Sequence, residues 1–214
     1  MPLSRRSFLT HSTGLFLGAA SASLWLPAAT RADTIPVFPE YYTYAGFYPK
    51  IEAQDYRLNC DGLIAAPRVF TLEQLYGLSK HAEVETFHCV TGWKVHHVAW
   101  RGIDLASFLD TLRPTAAARY VVFHSADGVY VDSLTLEQAR APGVILATHI
   151  AGLPLLRKGG YPLRLLVPQM YGYKSVKWVN RVSLSAVRPE GTWERDGYAA
   201  NAYIRKGFSW SDLL

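Results

Sequence analysis

The chain has 214 residues, half of them hydrophobic, with two cysteines and 22 Lys and Arg against 17 Asp and Glu. That is long enough for one sizeable core. Three arginines fall in residues 1–32, which hold no acid, so 22 less three leaves 19 bases against 17 acids beyond that point, and a charge of +2 there does not indicate nucleic acid as a partner.

The first element belongs to targeting. The stretch 4-SRRSFLTHSTGLFLGAASASLWLPAATRAD-33 sets Arg5 and Arg6 before an apolar run that ends in small residues. It resembles a twin-arginine signal, which implies export to the periplasm of an already folded protein. A Sec leader or an anchor is the alternative, and the run, broken by Ser and Thr, is marginal against the ~20 apolar residues a spanning helix needs. The expected organisation is a signal peptide over 1–32 and one domain over 33–214, with no linker or internal repeat dividing the latter.

In that domain an aromatic, loop-like start, 41-YYTYAGFYPK-50, precedes a strand at 56–64 interrupted at Asp61-Gly62. Thr71 and Gln74 have capping-box spacing, which predicts a short helix over 71–78. A strand follows at 84–90. Asp104 can cap a helix over 105–112, where Leu105, Phe108, Leu109 and Leu112 share one face. Runs 119–126 and 129–134 are β-rich and meet at Asp127-Gly128, a hairpin signal. Thr135 and Gln138 repeat the capping box, and strands are expected at 144–150, 163–168 and 176–185. Short helices scattered among many strands predict a single α+β domain, mostly β, with antiparallel or mixed sheet. Regular βαβ alternation is missing, which argues against a Rossmann-type fold.

Two features carry chemistry. Cys89 sits in 87-FHCVTGW-93, where it fits a buried filler, half of a disulfide with Cys60, a nucleophile or a metal ligand. Flanking His88, His96 and His97 match no common structural-zinc spacing, and adjacent strand residues point to opposite faces. Between Arg157 and Arg188 lie seven basic residues and no acid. Glycines beside them, in 158-KGGYPLR-164 and 171-YGYKSVKW-178, allow close backbone approach to an anion such as phosphate. A solvated basic face fits the composition equally, and neither a P-loop nor GxGxxG is present.

Taken in order, 60-CDGLIAAPRVFTLEQL-75, 89-CVTGW-93, 160-GYPLR-164 and 171-YGYKSVKWV-179 resemble the sulfite oxidase superfamily of molybdopterin-dependent oxidoreductases. The similarity is to its exported bacterial branch, which includes periplasmic methionine-sulfoxide reductases, and it covers roughly Tyr56 to Val187. The resemblance implies a sulfite-oxidase-type fold and one molybdenum held by one pyranopterin, with Cys89 as the protein's thiolate ligand and catalytic residue. It implies cofactor contacts from Ser125, Arg164, Ser175, Val176 and Lys177; His124, adjacent to Ser125, fits a further contact and an ordinary strand histidine equally.

Departures from the family pattern narrow the expectation. Gly159 stands where the family usually has His or Asn, so one cofactor hydrogen bond is missing. Trp93 and Lys94 follow the cysteine where sulfite-oxidising members tend to carry Arg. Of the family's Tyr-Asn-Asn-Phe-Tyr stretch, 44-YAGFY-48 keeps only the aromatics. The expected activity is two-electron oxygen-atom transfer on a small oxide or oxyanion, with S- or N-oxide reduction favoured over sulfite oxidation. No haem-attachment motif is present, so electrons are expected from a separate membrane haem subunit or a soluble cytochrome. The rival reading is a non-enzymatic module that binds an anion through Arg157–Arg188.

Overall fold

Residues 36–204 are described by a computed structural model. The predicted leader, 1–32, lies outside them. Among the described residues no helix is long and apolar enough to cross a membrane.

Strand β1 (Arg57–Gly62) alternates burial, with Leu58 and Cys60 inside. It pairs antiparallel with β2 (Arg68–Thr71), which ends at the cap of α1 (Leu72–Leu78). Both halves of that capping box form: the Thr71 hydroxyl accepts from Gln74 N at 3.3 Å, and Gln74 Oε1 accepts from Thr71 N at 2.9 Å. Next come β3 (His81–His88) and β4 (Lys94–Asp104). Asp104 then caps α2 (Leu105–Leu112) by accepting from Ser107 N at 2.8 Å, and the four apolar residues of its predicted face are all buried. The hairpin is β5 (Tyr120–Ser125) and β6 (Val131–Thr135), followed by α3 (Leu136–Ala139) behind the second capping box. Strands β7 (Ile145–Ile150), β8 (Leu153–Pro154), β9 (Arg164–Leu166) and β10 (Val179–Ser185) complete the set.

Two five-stranded sheets result, one in the order β2-β1-β10-β5-β6 and one in the order β3-β4-β7-β8 with β9 also on β7. The first is mixed, because β1 and β10 run parallel, and the other pairings are antiparallel. The predicted α+β, mostly β architecture is what forms. Along β7, Leu146 joins the main core with α2, while Ile145 and Ala147 face a smaller cluster with Phe38, Val98 and Trp100. The second sheet therefore has apolar packing on both faces.

Three strands depart from the sequence reading, which assigns no element at 68–70, across 94–104 or at 153–154. In β4 the alternation is broken by a bulge. Glu85 pairs with Val98 and Phe87 with Val95, so His96 and His97 together oppose Thr86. His97 takes φ 54°, and both imidazole-bearing residues are exposed, where strict alternation would bury one of them. Among the described residues no three His, Cys, Asp or Glu side chains converge on a point that could hold a metal.

Both cysteines are free thiols, which removes the disulfide alternative. Cys60 lies in the core, and burial, with Asp61 adding to it, pushes its thiol up to about 12. Alkylation of native protein at pH 8 is expected to leave Cys60 unmodified, and denaturation without reductant is expected to expose it. A Cys60–Cys89 bridge in mass spectra would contradict this.

Candidate functional site

The segment after β3 folds into a tight turn: Cys89 N donates to Trp93 O at 2.9 Å and Gly92 N to Cys89 O at 3.1 Å. Cys89 is thereby held, partly exposed, at the end of a strand whose Phe87 packs under Gly172. A Cβ on Gly172 would lie 2.4 Å from Phe87 Cζ, so only glycine lets the 171–177 segment approach the Cys89 turn this closely. Gly160 does the same for the two cations. It has φ 111°, and a Cβ there would meet Arg164 Cβ at 3.0 Å and Lys177 Cβ at 3.2 Å.

These contacts build one cleft of about 980 Å³, counting the open solvent at its mouth. Cys89, Ser125, Arg164, Ser175, Val176 and Lys177 all line it, drawn from the β3–β4 turn, β5, β9 and the 3-10 turn before β10. Ser125 Oγ accepts from Asp127 N at 3.3 Å. Ser175 Oγ accepts from Val167 N at 3.0 Å and braces its own segment. Val176 is buried in the main core.

Arg164 is 5% exposed. Its guanidinium donates to the carbonyls of Gly159 at 3.0 Å, Ser175 at 3.2 Å and Leu165 at 3.4 Å, which engages three of its five N–H groups. Phe87 and Trp100 flank it, with ring centroids 5.4 and 5.3 Å away. Burial lowers its pKa to about 10. Lys177 donates to the carbonyls of Tyr42 and Lys158. Burial, reinforced by Arg164, lowers it to about 7. Neither cation has a carboxylate partner among the described residues. Asp127, on the same cleft, offsets Lys177 only at a distance, and two cations without an ion pair, buried and half-buried, are costly unless a closer anion joins them. A phosphate-bearing cofactor would supply that anion, and a soft thiol on the same cleft suits a soft metal. The residues present therefore fit a molybdenum-pterin.

The other basic residues of 157–188 do not form the patch that the rival reading requires. Lys174 is 1% exposed and lies between Asp132 and Glu194. Arg181 pairs with Asp61 at 2.8 Å, and Arg188 pairs with Glu194. Arg157 donates to Pro49 O at 3.0 Å, and Lys158 lies 4.5 Å over the Tyr41 ring. Two of the seven, Arg164 and Lys177, line the cleft. His124 points away from it and meets Ser183 Oγ at 3.2 Å. Gly159 is buried, and a Cβ there would lie 3.6 Å from the Tyr41 ring, which occupies the space a larger side chain would need.

Sequence reasoning missed other cleft residues. Asp127 reads as a hairpin turn, and its Oδ1 does accept from Val129 N and Tyr130 N at 2.9 and 2.8 Å. Asp127 lines the cleft, and its buried Oδ2 has no hydrogen-bond partner among the described residues. Tyr42, Tyr44 and Tyr198 pack around Trp193 at 5.3, 5.3 and 4.9 Å and form an aromatic rim. Nothing in 193-WERDGY-198 marks it as such.

Lys177 gives a sign-definite prediction. Its folded pKa is depressed, so the stability that goes with the neutral amine is complete above about 10.5 and is lost as pH falls to about 7. In cofactor-free protein the unfolding free energy is expected to rise over that window, and Lys177→Met should lack the rise. The slope should approach, and not exceed, the ~1.4 kcal/mol per pH unit of one proton at mid-window, and the partial exposure of Lys177 narrows the window rather than flattening it. Parallel slopes in denaturant titrations of the two proteins would refute it.

A thiol and two cations without an ion-pair partner on one cleft suit a cofactor with an anionic tail. The family model of the oxidoreductase molybdopterin-binding domain matches residues 45–193, and the chain belongs to that family, which places it in the sulfite oxidase group. Its cofactor is a molybdenum-pterin. The catalytic subunit of protein-methionine-sulfoxide reductase from Pseudomonas syringae pv. tomato (strain ATCC BAA-871 / DC3000) is 28% identical over 222 residues, covering 89% of this chain and 64% of that protein. The crystal structure of the sulfane dehydrogenase SoxCD from Paracoccus pantotrophus superposes with a TM-score of 0.63 at 26% identity, covering 68% of this chain and 42% of that one. The chain thus spans less than two thirds of either relative's length.

Proposed function

We propose that the chain is an exported, periplasmic oxidoreductase that reduces S- or N-oxides in preference to oxidising sulfite. When bound, the cofactor supplies two-electron oxygen-atom transfer; a sulfoxide that takes up two electrons and two protons gives a thioether and water. In this reading Cys89 is the thiolate ligand, Arg164 and Lys177 compensate the cofactor's phosphate, and Ser125, Ser175 and Val176 line its bed. Electrons come from a separate haem protein, as a membrane subunit or a soluble cytochrome.

The observation that carries the preference is the chemistry beside Cys89. Phe87 and Trp93 stack there at 5.9 Å and 26°, and Phe38 packs edge-on to both. Lys94 is exposed and off the cleft, and Lys174 and Arg181, the other bases that could restore charge, are paired with acids elsewhere. A sulfite dianion needs fixed positive charge close to the reacting atom, whereas an apolar wall suits a neutral oxide.

Reduced viologen with sulfoxides in one assay and ferricyanide with sulfite in the other are expected to give the higher kcat/KM for the sulfoxide. A higher value for sulfite would overturn the preference.

A further inference from the structure

The turn that holds Cys89 also returns Thr91 over it. Because Cys89 N reaches Trp93 O and Gly92 N reaches Cys89 O, residue 91 lies above residue 89. Thr91 Oγ1 is 3.1 Å from Cys89 Sγ. Thr91 is exposed on the cleft and has no second side-chain hydrogen bond among the described residues.

We infer that Thr91 is a positioning residue that donates a hydrogen bond to the Cys89 sulfur and tunes the metal's redox balance; the inference rests on Cys89 being the ligand. In the free thiol either group can donate. Coordination requires the deprotonated sulfur, which can only accept, so the direction becomes fixed from Thr91 Oγ1 to Cys89 Sγ. A donor on a thiolate withdraws charge from the sulfur and makes it a weaker donor to the metal. The reduced, more electron-rich centre is then favoured. Such outer partners orient a ligand and set its basicity, and losing one changes a metal site by about 10–100-fold.

Thr91→Val keeps the side chain's shape and removes the hydroxyl, and Thr91→Ser keeps the hydroxyl. An exposed turn residue tolerates both. Molybdenum and pterin per chain are expected to match wild type in each. In a redox titration followed by paramagnetic resonance, the Val variant should titrate at a more negative potential, with about a tenfold change in the oxidised-to-reduced ratio at a fixed poise. The Ser variant should stay within about twofold of wild type on the same scale. In steady state, kcat should change for Val while KM stays put. An unshifted potential in Val, or a Ser variant that behaves like Val, overturns the role. Metal X-ray absorption on wild type separates the two failures: without a protein sulfur on the metal, the Cys89 reading fails and this inference fails with it.

Discussion

Cys89→Ser is expected to fold normally and to lose turnover by more than the ~100-fold upper range for removing an outer-shell partner, because the change removes a ligand itself. A serine hydroxyl is a poor replacement for a thiolate, since it is harder and ionises far less readily. The fold should be nearly indifferent. Cys89 lies partly exposed in a turn held by backbone hydrogen bonds, and its sulfur packs in neither core. Thermal unfolding of the cofactor-free variant should show a difference within about 0.5 kcal/mol. Undiminished turnover would remove Cys89 from the metal, and a large loss of stability would make its role structural.

Arg164→Lys is expected to cost both cofactor and stability. The guanidinium joins the 157–159 turn to the 172–175 segment through the Gly159 and Ser175 carbonyls and has N–H groups to spare for an anion. A lysine ammonium is a point charge and cannot keep both carbonyls while meeting a phosphate in a bidentate way. Each buried carbonyl left unpaired costs about 1–3 kcal/mol, so a loss of roughly 2 kcal/mol in denaturant unfolding is expected. Cofactor per chain should fall by about tenfold or more, since the outer contact also orients the bound group. Full cofactor content in Arg164→Lys would mean that charge alone suffices and the fork is incidental.

What the sequence disclosed and what it hid follow from the range of the interactions. Thr71–Gln74, Asp104–Ser107 and Thr135–Gln138 close within one helical turn, so four residues of sequence contain the whole signal. The motif residues from Cys89 to Lys177 were readable one by one, and the structure brings all six to one cleft. The fate of the basic segment was not readable. Whether Lys174 enters a cleft or an ion pair depends on Asp132 and Glu194, 42 and 20 residues away, and Arg181 depends on Asp61, 120 residues away. Strand β4 was hidden for a different reason. Its bulge places His96 and His97 side by side against Thr86, which breaks the two-residue period that marks a strand. Asp127 was recognised for the turn it makes with one oxygen, and nothing local tells that the other is left without a partner or that the residue lines the cleft.

The central claim is that this cleft holds molybdenum through Cys89. X-ray absorption at the molybdenum edge tests it most directly, on protein purified with its full chain and on Cys89→Ser carrying whatever metal it retains. The account predicts three sulfur neighbours in wild type, two from the pterin and one from Cys89, and two in the variant. The same sulfur count in both proteins would contradict it.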